Sequence, residues 1–221
     1  MDILTIIEQR HSVRSYKKEA VGQEMLSSLK SEIDACNEES GLHIQLVTDE
    51  PKAFDCFMAH YGKFINVTNY IALVGKKSAD LEEKCGYYGE RLVLKAQQLG
   101  LNTCWVASSY KKIPDTFKSE KDEKITAVIA VGLGENEGVP HKSKAPEDVS
   151  NLDEKSPEWF RKGVKAALLA PTALNQQKFR LELHENKVFA KAGIGLCTKI
   201  DLGIVKYNFE AAAGKENFRW E

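Results

Sequence analysis

The chain has 221 residues, 43% of them hydrophobic, enough to bury the core of one large domain or two small ones. Its 31 basic and 32 acidic side chains nearly cancel, so no global field draws it to nucleic acid or to an anionic membrane. No apolar run approaches the roughly 20 residues of a membrane span. Met1-Asp2-Ile3-Leu4 puts an acid where a secretory signal carries basic residues, and a cytoplasmic chain is expected.

In chain order, Ile3, Ile6 and Ile7 share one face of a helix over residues 2–9, which ends at Arg10-His11-Ser12-Val13-Arg14. Met25, Leu29 and Ile33, spaced by four, predict a second helix from Val21 to about Cys36. His43–Thr48 alternates like a strand, and Asn69–Gly75 is continuously apolar, as a central strand is. Leu81, Cys85, Tyr88, Leu92, Ala96 and Leu99 recur at steps of three and four and predict an amphipathic helix stopped by Gly100. Ile125–Gly132 is another buried strand. From Gly134 to about Ser156 the sequence turns polar, which makes it the best boundary between parts 1–150 and 156–221. Ser156-Pro157-Glu158 opens a helix that runs to Leu169. Phe179–His184 and a run from Lys187 flank Glu185-Asn186 as a hairpin, and Asp201–Ala213 is a final helix. The second part resembles a shortened copy of the first; Gly86-Tyr87-Tyr88 and Gly203-Ile204-Val205 share a glycine-led pattern.

The five cysteines, Cys36, Cys56, Cys85, Cys104 and Cys197, form no Cys-x-x-Cys pair and are expected as reduced, packed thiols; Cys104, beside Trp105, could lie near a site. The histidines show no metal-ligand spacing, and no metal is expected. Glycine-rich nucleotide loops are missing, since Gly132-Leu133-Gly134 lacks the third glycine and the helix after it.

Two motifs carry chemistry. Arg10, Ser12 and Arg14 follow a helix C-terminus, where the dipole favours cations. Two guanidiniums and a hydroxyl suit an anionic group such as phosphate; the alternative is a basic pair that caps the helix and faces solvent. Lys142 and Lys144 form a second basic pair, read alone as a solvated loop. Ala170-Pro171-Thr172-Ala173-Leu174-Asn175-Gln176-Gln177 is a proline-stiffened turn edged with amides, suited to a flat polar heterocycle or to a capped connection. Trp105 reads as core or as a pocket wall.

These residues resemble the FMN-dependent nitroreductase family. Arg10-His11-Ser12-Val13-Arg14-Ser15-Tyr16 is similar to its Arg-x-Ser-x-Arg-x-Phe/Tyr opening, and Ala170 to Gln177 is similar to its Ala-Pro-Ser-x-x-Asn-x-Gln signature. Gly89 to Val106 resembles its long central helix and following strand, and Val131-Gly132 with Lys142 and Lys144 resembles its late glycine and basic pair. The order departs from the family's: the proline signature normally follows the first two helices, whereas here Ser31 to Leu42 has no proline and the motif comes late. The resemblance implies an α+β, nitroreductase-like fold, an antiparallel or mixed sheet flanked by helices. Typical members are homodimers with flavin at the interface. One copy of each motif per chain implies an internal pseudo-duplication, with lobes 1–150 and 156–221 imitating that dimer. The chain is then expected to be a monomer with one flavin site.

Carried over, Arg10, His11, Ser12 and Arg14 hold the phosphate, ribityl and pyrimidine side of FMN, and Lys142 and Lys144 complete the phosphate clamp. Pro171, Thr172, Ala173 and Asn175 face the ring and ribityl; Trp105, Val106 and Ala107 pass near the reactive ring nitrogen, although Val106-Ala107 departs from the family's small-Gly ending. The implied activity is transfer of hydride from NAD(P)H to flavin and of electrons onward to a nitro compound, a quinone or a similar acceptor, with no protein acid, base or nucleophile. A flavin-binding or sensing protein without turnover is the alternative, and a degenerate relative with a structural role is a third.

Overall fold

The computed structural model describes residues 2–221, and Met1 lies outside them. In chain order the elements are α1 (Ile3–Gln9), α2 (Gln23–Ser40), β1 (Gln45–Val47), α3 (Phe57–Tyr61), β2 (Tyr70–Lys76), α4 (Leu81–Gln98), β3 (Asn102–Val106), β4 (Glu123–Gly132), α5 (Pro146–Val149), α6 (Glu158–Leu168), β5 (Phe179–His184), β6 (Lys187–Ala192), α7 (Thr198–Ala213) and β7 (Arg219–Trp220). This is the expected α+β arrangement of sheets and helices. Among the described residues no helix is long and apolar enough to cross a membrane.

The chain divides into two compact units. A helix-rich unit comprises Met1–Gln9, Glu82–Glu90 and Pro140–Glu221; a sheet unit comprises Arg10–Leu81 and Arg91–Val139. The division differs from the boundary expected near residues 150–156. The reason is that α1 packs against α6 and α7, far along the chain, and residues 82–90 of α4 join the same group.

In the sheet unit four strands run in the order β1-β2-β4-β3, every neighbour antiparallel. The uninterrupted apolar runs of β2 and β4 suit the two central places, and the first six residues of β2 are buried. Phe54 anchors the core against Phe64 and Tyr70, at ring centroid distances of 5.2 and 6.0 Å. Helix α2 runs four residues past the expected Cys36 and stops at Gly41, whose φ of 70° permits a left-handed cap donating to the Asn37 carbonyl. The Asn37 side chain then grips both backbone groups of Ile44 (2.7 and 2.9 Å). The strand expected over His43–Thr48 is only the three residues of β1. Helix α3 was not expected; its Phe57 and Tyr61 face outward, so no periodic apolar face marks it.

In the helix-rich unit α6 packs along α7, and β5-β6 form the expected hairpin with β7 parallel to β6. The ring of Phe209 lies over Gly163, where a Cβ would come within 2.5 Å of it, and meets Phe160 and Phe218 edge-on. Helices α4 and α7 cross at a pair of glycines. A Cβ on Gly86 would collide with the Ile200 carbonyl oxygen, and one on Gly203 with the Glu83 carbonyl oxygen. Each oxygen belongs to the residue three before the opposite glycine. The contact is therefore reciprocal, the relation that a two-fold axis imposes on an interface. Two clasps flank it: Lys206 Nζ to Glu83 and the Tyr87 hydroxyl to Glu210, each 2.5 Å.

Because the obstruction at each glycine is backbone, neither helix can yield by turning a side chain. Gly86→Ala and Gly203→Ala are each expected to cost about 1–3 kcal/mol. Urea unfolding would show this as a lower midpoint with an unchanged slope.

Candidate functional site

The basic motif lies in the sheet unit, laid beside β3. The amide of Val13 donates to the Thr103 carbonyl (2.9 Å), Ser12 bridges Thr103, and Ser15 bridges Ile65. The buried Tyr16 closes the segment by donating its hydroxyl to the Val13 carbonyl at 2.7 Å. Strand alternation sends Cys104 and Val106 into the core with Tyr16. Arg10, Ser12 and Arg14 all act on the Cys104 sulfur. Burial pushes that thiol up, while the charges of Arg14 and Arg10 and a hydrogen bond from Ser12 pull it down. Residues 10, 12 and 14 thus all lie within electrostatic reach of Cys104, the two arginines by charge and Ser12 by hydrogen bond. Arg10 is buried, whereas Arg14 is exposed with its guanidinium 5.9 Å from the centre of the Phe64 ring. The imidazole of His11 faces the Glu137 carbonyl at 3.2 Å. Gly138, at φ 71°, lets residues 136–138 pass close behind: a Cβ there would come within 2.7 Å of His11.

Trp105 is half-buried on the other face of β3, Val106 has its side chain in the core, and Ala107 is exposed just past the strand end. Val106 thus has only its backbone to offer a ligand. A cavity of about 650 Å³ opens in the same unit, with Lys17, Lys18, Phe54, His60, Phe64 and Asn66 among its walls. Its wall residue Phe64 is the ring beneath Arg14. Sequence reasoning did not find this cavity, because its walls come from three loops and the short α3, none with a periodic signal.

In the helix-rich unit the structure brings Lys142 and Lys144 together with the proline turn. The Asn175 side chain donates to the Lys142 carbonyl (2.8 Å) and accepts from Gln177 Nε2 (2.8 Å). Gln177 also bonds the Lys142 carbonyl and accepts from the Lys144 amide, both at 2.9 Å. Lys144 Nζ donates to the Gln177 carbonyl at 2.9 Å, while Lys142 is exposed. Thr172 Oγ1 accepts the Gln177 amide at 3.0 Å. The Asn175 amide, expected to face a ligand, is thus used at both ends inside the turn. Pro171 and Ala173 remain as its partly open edge, while Thr172 is buried.

The turn is strained. Leu174, Asn175 and Gln177 all have left-handed backbones, with φ of 53°, 52° and 45°. Each costs about 1–2 kcal/mol relative to a right-handed residue, somewhat less for asparagine. The hydrogen bonds above, at about 1 kcal/mol net apiece, offset that cost. Two more come from Asp201 in the first turn of α7: its carboxylate accepts the Ala173 amide (2.9 Å) and Gln176 Nε2 (2.8 Å). Asp201 is only 3% exposed, and burial lifts its carboxyl to about 6. Sequence reasoning missed it, although an acid between Ile200 and Leu202 in an apolar stretch was a visible signal.

Two guanidiniums and a hydroxyl on one short segment supply the donor types that a phosphate monoester accepts. The rigid proline turn, taken by itself, suits a planar group.

Residues 2–213 match the model of a protein family described as "Putative TM nitroreductase". Among solved structures, a "putative nitroreductase" from Thermotoga maritima is 22% identical, with 98% of this chain and 85% of that chain covered at a TM-score of 0.68. A "putative nitroreductase" from Desulfovibrio desulfuricans, solved in complex with FMN, is 20% identical over 70% of this chain and 98% of its own, with a TM-score of 0.54. Another from Exiguobacterium sibiricum, also in complex with FMN, is 15% identical over 69% and 98%, with a TM-score of 0.55. At these identities the likeness is one of fold. No match arises among the curated proteins compared.

Asp201 also generates a pH dependence. Its carboxyl stands at about 6 in the fold against an ordinary 3.8, so the fold favours the protonated form. The stability this group contributes is complete below 3.8 and is lost as pH rises through about 6. Asp201→Asn removes the titration. Between about pH 3.5 and about pH 7.5, the stability of the variant relative to the parent should shift in the variant's favour by about 3 kcal/mol. Paired denaturant titrations at the two pH values measure that difference.

Proposed function

The chain belongs to this nitroreductase family, and on that premise we propose that it is an FMN-dependent oxidoreductase taking hydride from NAD(P)H and passing electrons to a nitro compound, a quinone or a similar acceptor. The observation that carries the reading is the basic segment Arg10–Arg14 laid beside β3 by the hydrogen bond of the Val13 amide to Thr103, with two guanidiniums and a hydroxyl at alternate positions. When bound, FMN supplies the redox chemistry; the protein binds, orients and tunes it. Arg10, Ser12 and Arg14 hold the phosphate, ribityl and pyrimidine side, with His11 kept in place by Glu137. Lys142 adds positive charge, and Lys144 stiffens the turn more than it serves a ligand. Pro171 and Ala173 offer the face of the turn, Thr172 braces it from within by accepting the Gln177 amide, and Asn175 keeps that face in shape. Trp105 and the backbone of Val106 and Ala107 lie toward the reactive ring. No side chain of this chain acts as an acid, base or nucleophile.

The chain acts as a cytoplasmic monomer with one FMN, its two lobes standing in for two subunits. The reciprocal meeting of Gly86 and Gly203 supports this reading, since one sequence reproduces a relation that a homodimer obtains from symmetry.

Purified protein supplied with FMN should show a bound-flavin spectrum, one flavin per chain, and the mass of a monomer by light scattering. Arg10→Ala with Arg14→Ala should weaken binding about 100-fold or more, two charge-assisted partners being lost. Anaerobic NADH or NADPH should bleach the flavin; colour that persists with both would point instead to binding without turnover. Protein that stays colourless and takes up no FMN would sink the proposal.

A further inference from the structure

We propose that Asp201 is the positioning residue of the ligand-facing turn, its carboxylate fixing Ala173 and Gln176 so that Pro171 and Ala173 are set for the flavin. The inference rests on the FMN reading above and adds a residue that no motif assigns. Its two oxygens are divided between the two ends of the turn, one taking the Ala173 amide and the other Gln176 Nε2. Between those ends lie Leu174 and Asn175, both left-handed, with a third such residue at Gln177. A segment with that much stored strain relaxes unless its surroundings over-determine it, and such segments cluster at ligand clamps. Gln176 Nε2 also donates to the Leu196 carbonyl at 2.6 Å, so the same carboxylate steadies the loop leading into α7.

Asp201 is well placed for the task because it sits on rigid backbone. Gly203, two residues on, is the point where α7 meets α4, and that contact leaves no room for shift. The chemistry also selects a carboxylate. Both partners are donors, and only an ionised carboxylate presents an acceptor to each. An asparagine of the same shape would accept from Ala173 but turn its own NH₂ toward that of Gln176. Burial of this carboxylate is costly, as its upward shift to about 6 records. A position that only filled the core would be better occupied by an apolar side chain. The titratable groups around it are Cys197, which caps the start of α7, and Glu82 on α4, the thiol being raised by burial and by Asp201 and Glu82 together. That raised thiol does not titrate between pH 5 and 8, so it adds no slope of its own there.

The test is FMN titration of the full chain by flavin fluorescence, for the parent, Asp201→Asn and Gln176→Leu, at about pH 8 and about pH 5. Gln176→Leu severs the same tie without touching α7, which keeps the test alive if the Asp201 variant folds poorly. Both variants are expected to bind at least tenfold more weakly at the higher pH. The ratio of parent to Asp201→Asn affinity should fall toward one at the lower pH, where the parent's carboxylate is protonated. Taking a ratio cancels the titration of the FMN phosphate itself, near pH 6. Variants that bind as the parent does, or a ratio that stays constant with pH, overturn the proposal and leave the FMN reading standing. If the parent takes up no FMN, that reading fails, and amide hydrogen exchange of residues 173–177 decides the rest. Equal protection in parent and Asp201→Asn overturns the positioning role, and faster exchange in the variant upholds it for another ligand.

Discussion

The helix-rich unit depends on backbone meeting backbone where α4 crosses α7 at Gly86 and Gly203. No side chain separates the two helices there, so their crossing is set by main-chain sterics, and the surrounding groups inherit a fixed frame. Lys206 reaches Glu83, and Tyr87 reaches Glu210, which also accepts the indole N–H of Trp220 at 3.0 Å. One glycine pair thus settles where the last strand of the chain ends and where Asp201 stands. Glycines in the middle of helices lower intrinsic helix stability by about 1 kcal/mol each. Their presence in both helices at the contact shows what the crossing is worth to the fold.

The two motif regions achieve order by opposite means. The basic segment is ordinary extended chain, stitched to β3 by backbone hydrogen bonds and plugged into the core by Val13 and Tyr16. Its conformation is relaxed and its two arginines are the unusual feature, both within electrostatic reach of a buried thiol. The proline turn carries no such charge cluster, and its backbone is the unusual feature. Left-handed residues that are not glycine persist because amide side chains, a lysine and one buried carboxylate all hold them. Polar groups that appear in sequence as ligand donors are spent on the scaffold, so a ligand meets the turn's outline more than its amides.

How much of this could be read in the sequence follows from the range of the interactions involved. Elements set by local periodicity were legible: α4, α6, the central strands β2 and β4, and the hairpin around Glu185-Asn186. Local stop signals placed their ends to within a few residues. The two motifs were also legible, because their residue types are dense and close together. Helix α3 was not, since Phe57, Met58 and Tyr61 are exposed and break the apolar period. The role of the Asn175 amide was not, because its partner carbonyl at Lys142 lies 33 residues earlier. Asp201 stood out as an acid in an apolar stretch, but its role did not, because its partners lie 25 and 28 residues earlier in the chain. Composition marks the loop around residues 150–156 and carries no sign that α1 packs with α6 and α7, more than 140 residues away.

That placement of α1 governs how the chain is assembled as it is made. Helix α1 packs against α6 and α7, the latter ending at Ala213. It must therefore wait, its apolar Ile6 and Ile7 uncovered, until residues some two hundred positions further on have been synthesised. The sheet unit, by contrast, is complete once Val139 has emerged. Synthesis thus leaves one unit able to fold early and the other held open until its last strand arrives. Contacts spanning some two hundred residues close late and slowly, so the vulnerable interval in the life of this protein comes at its birth.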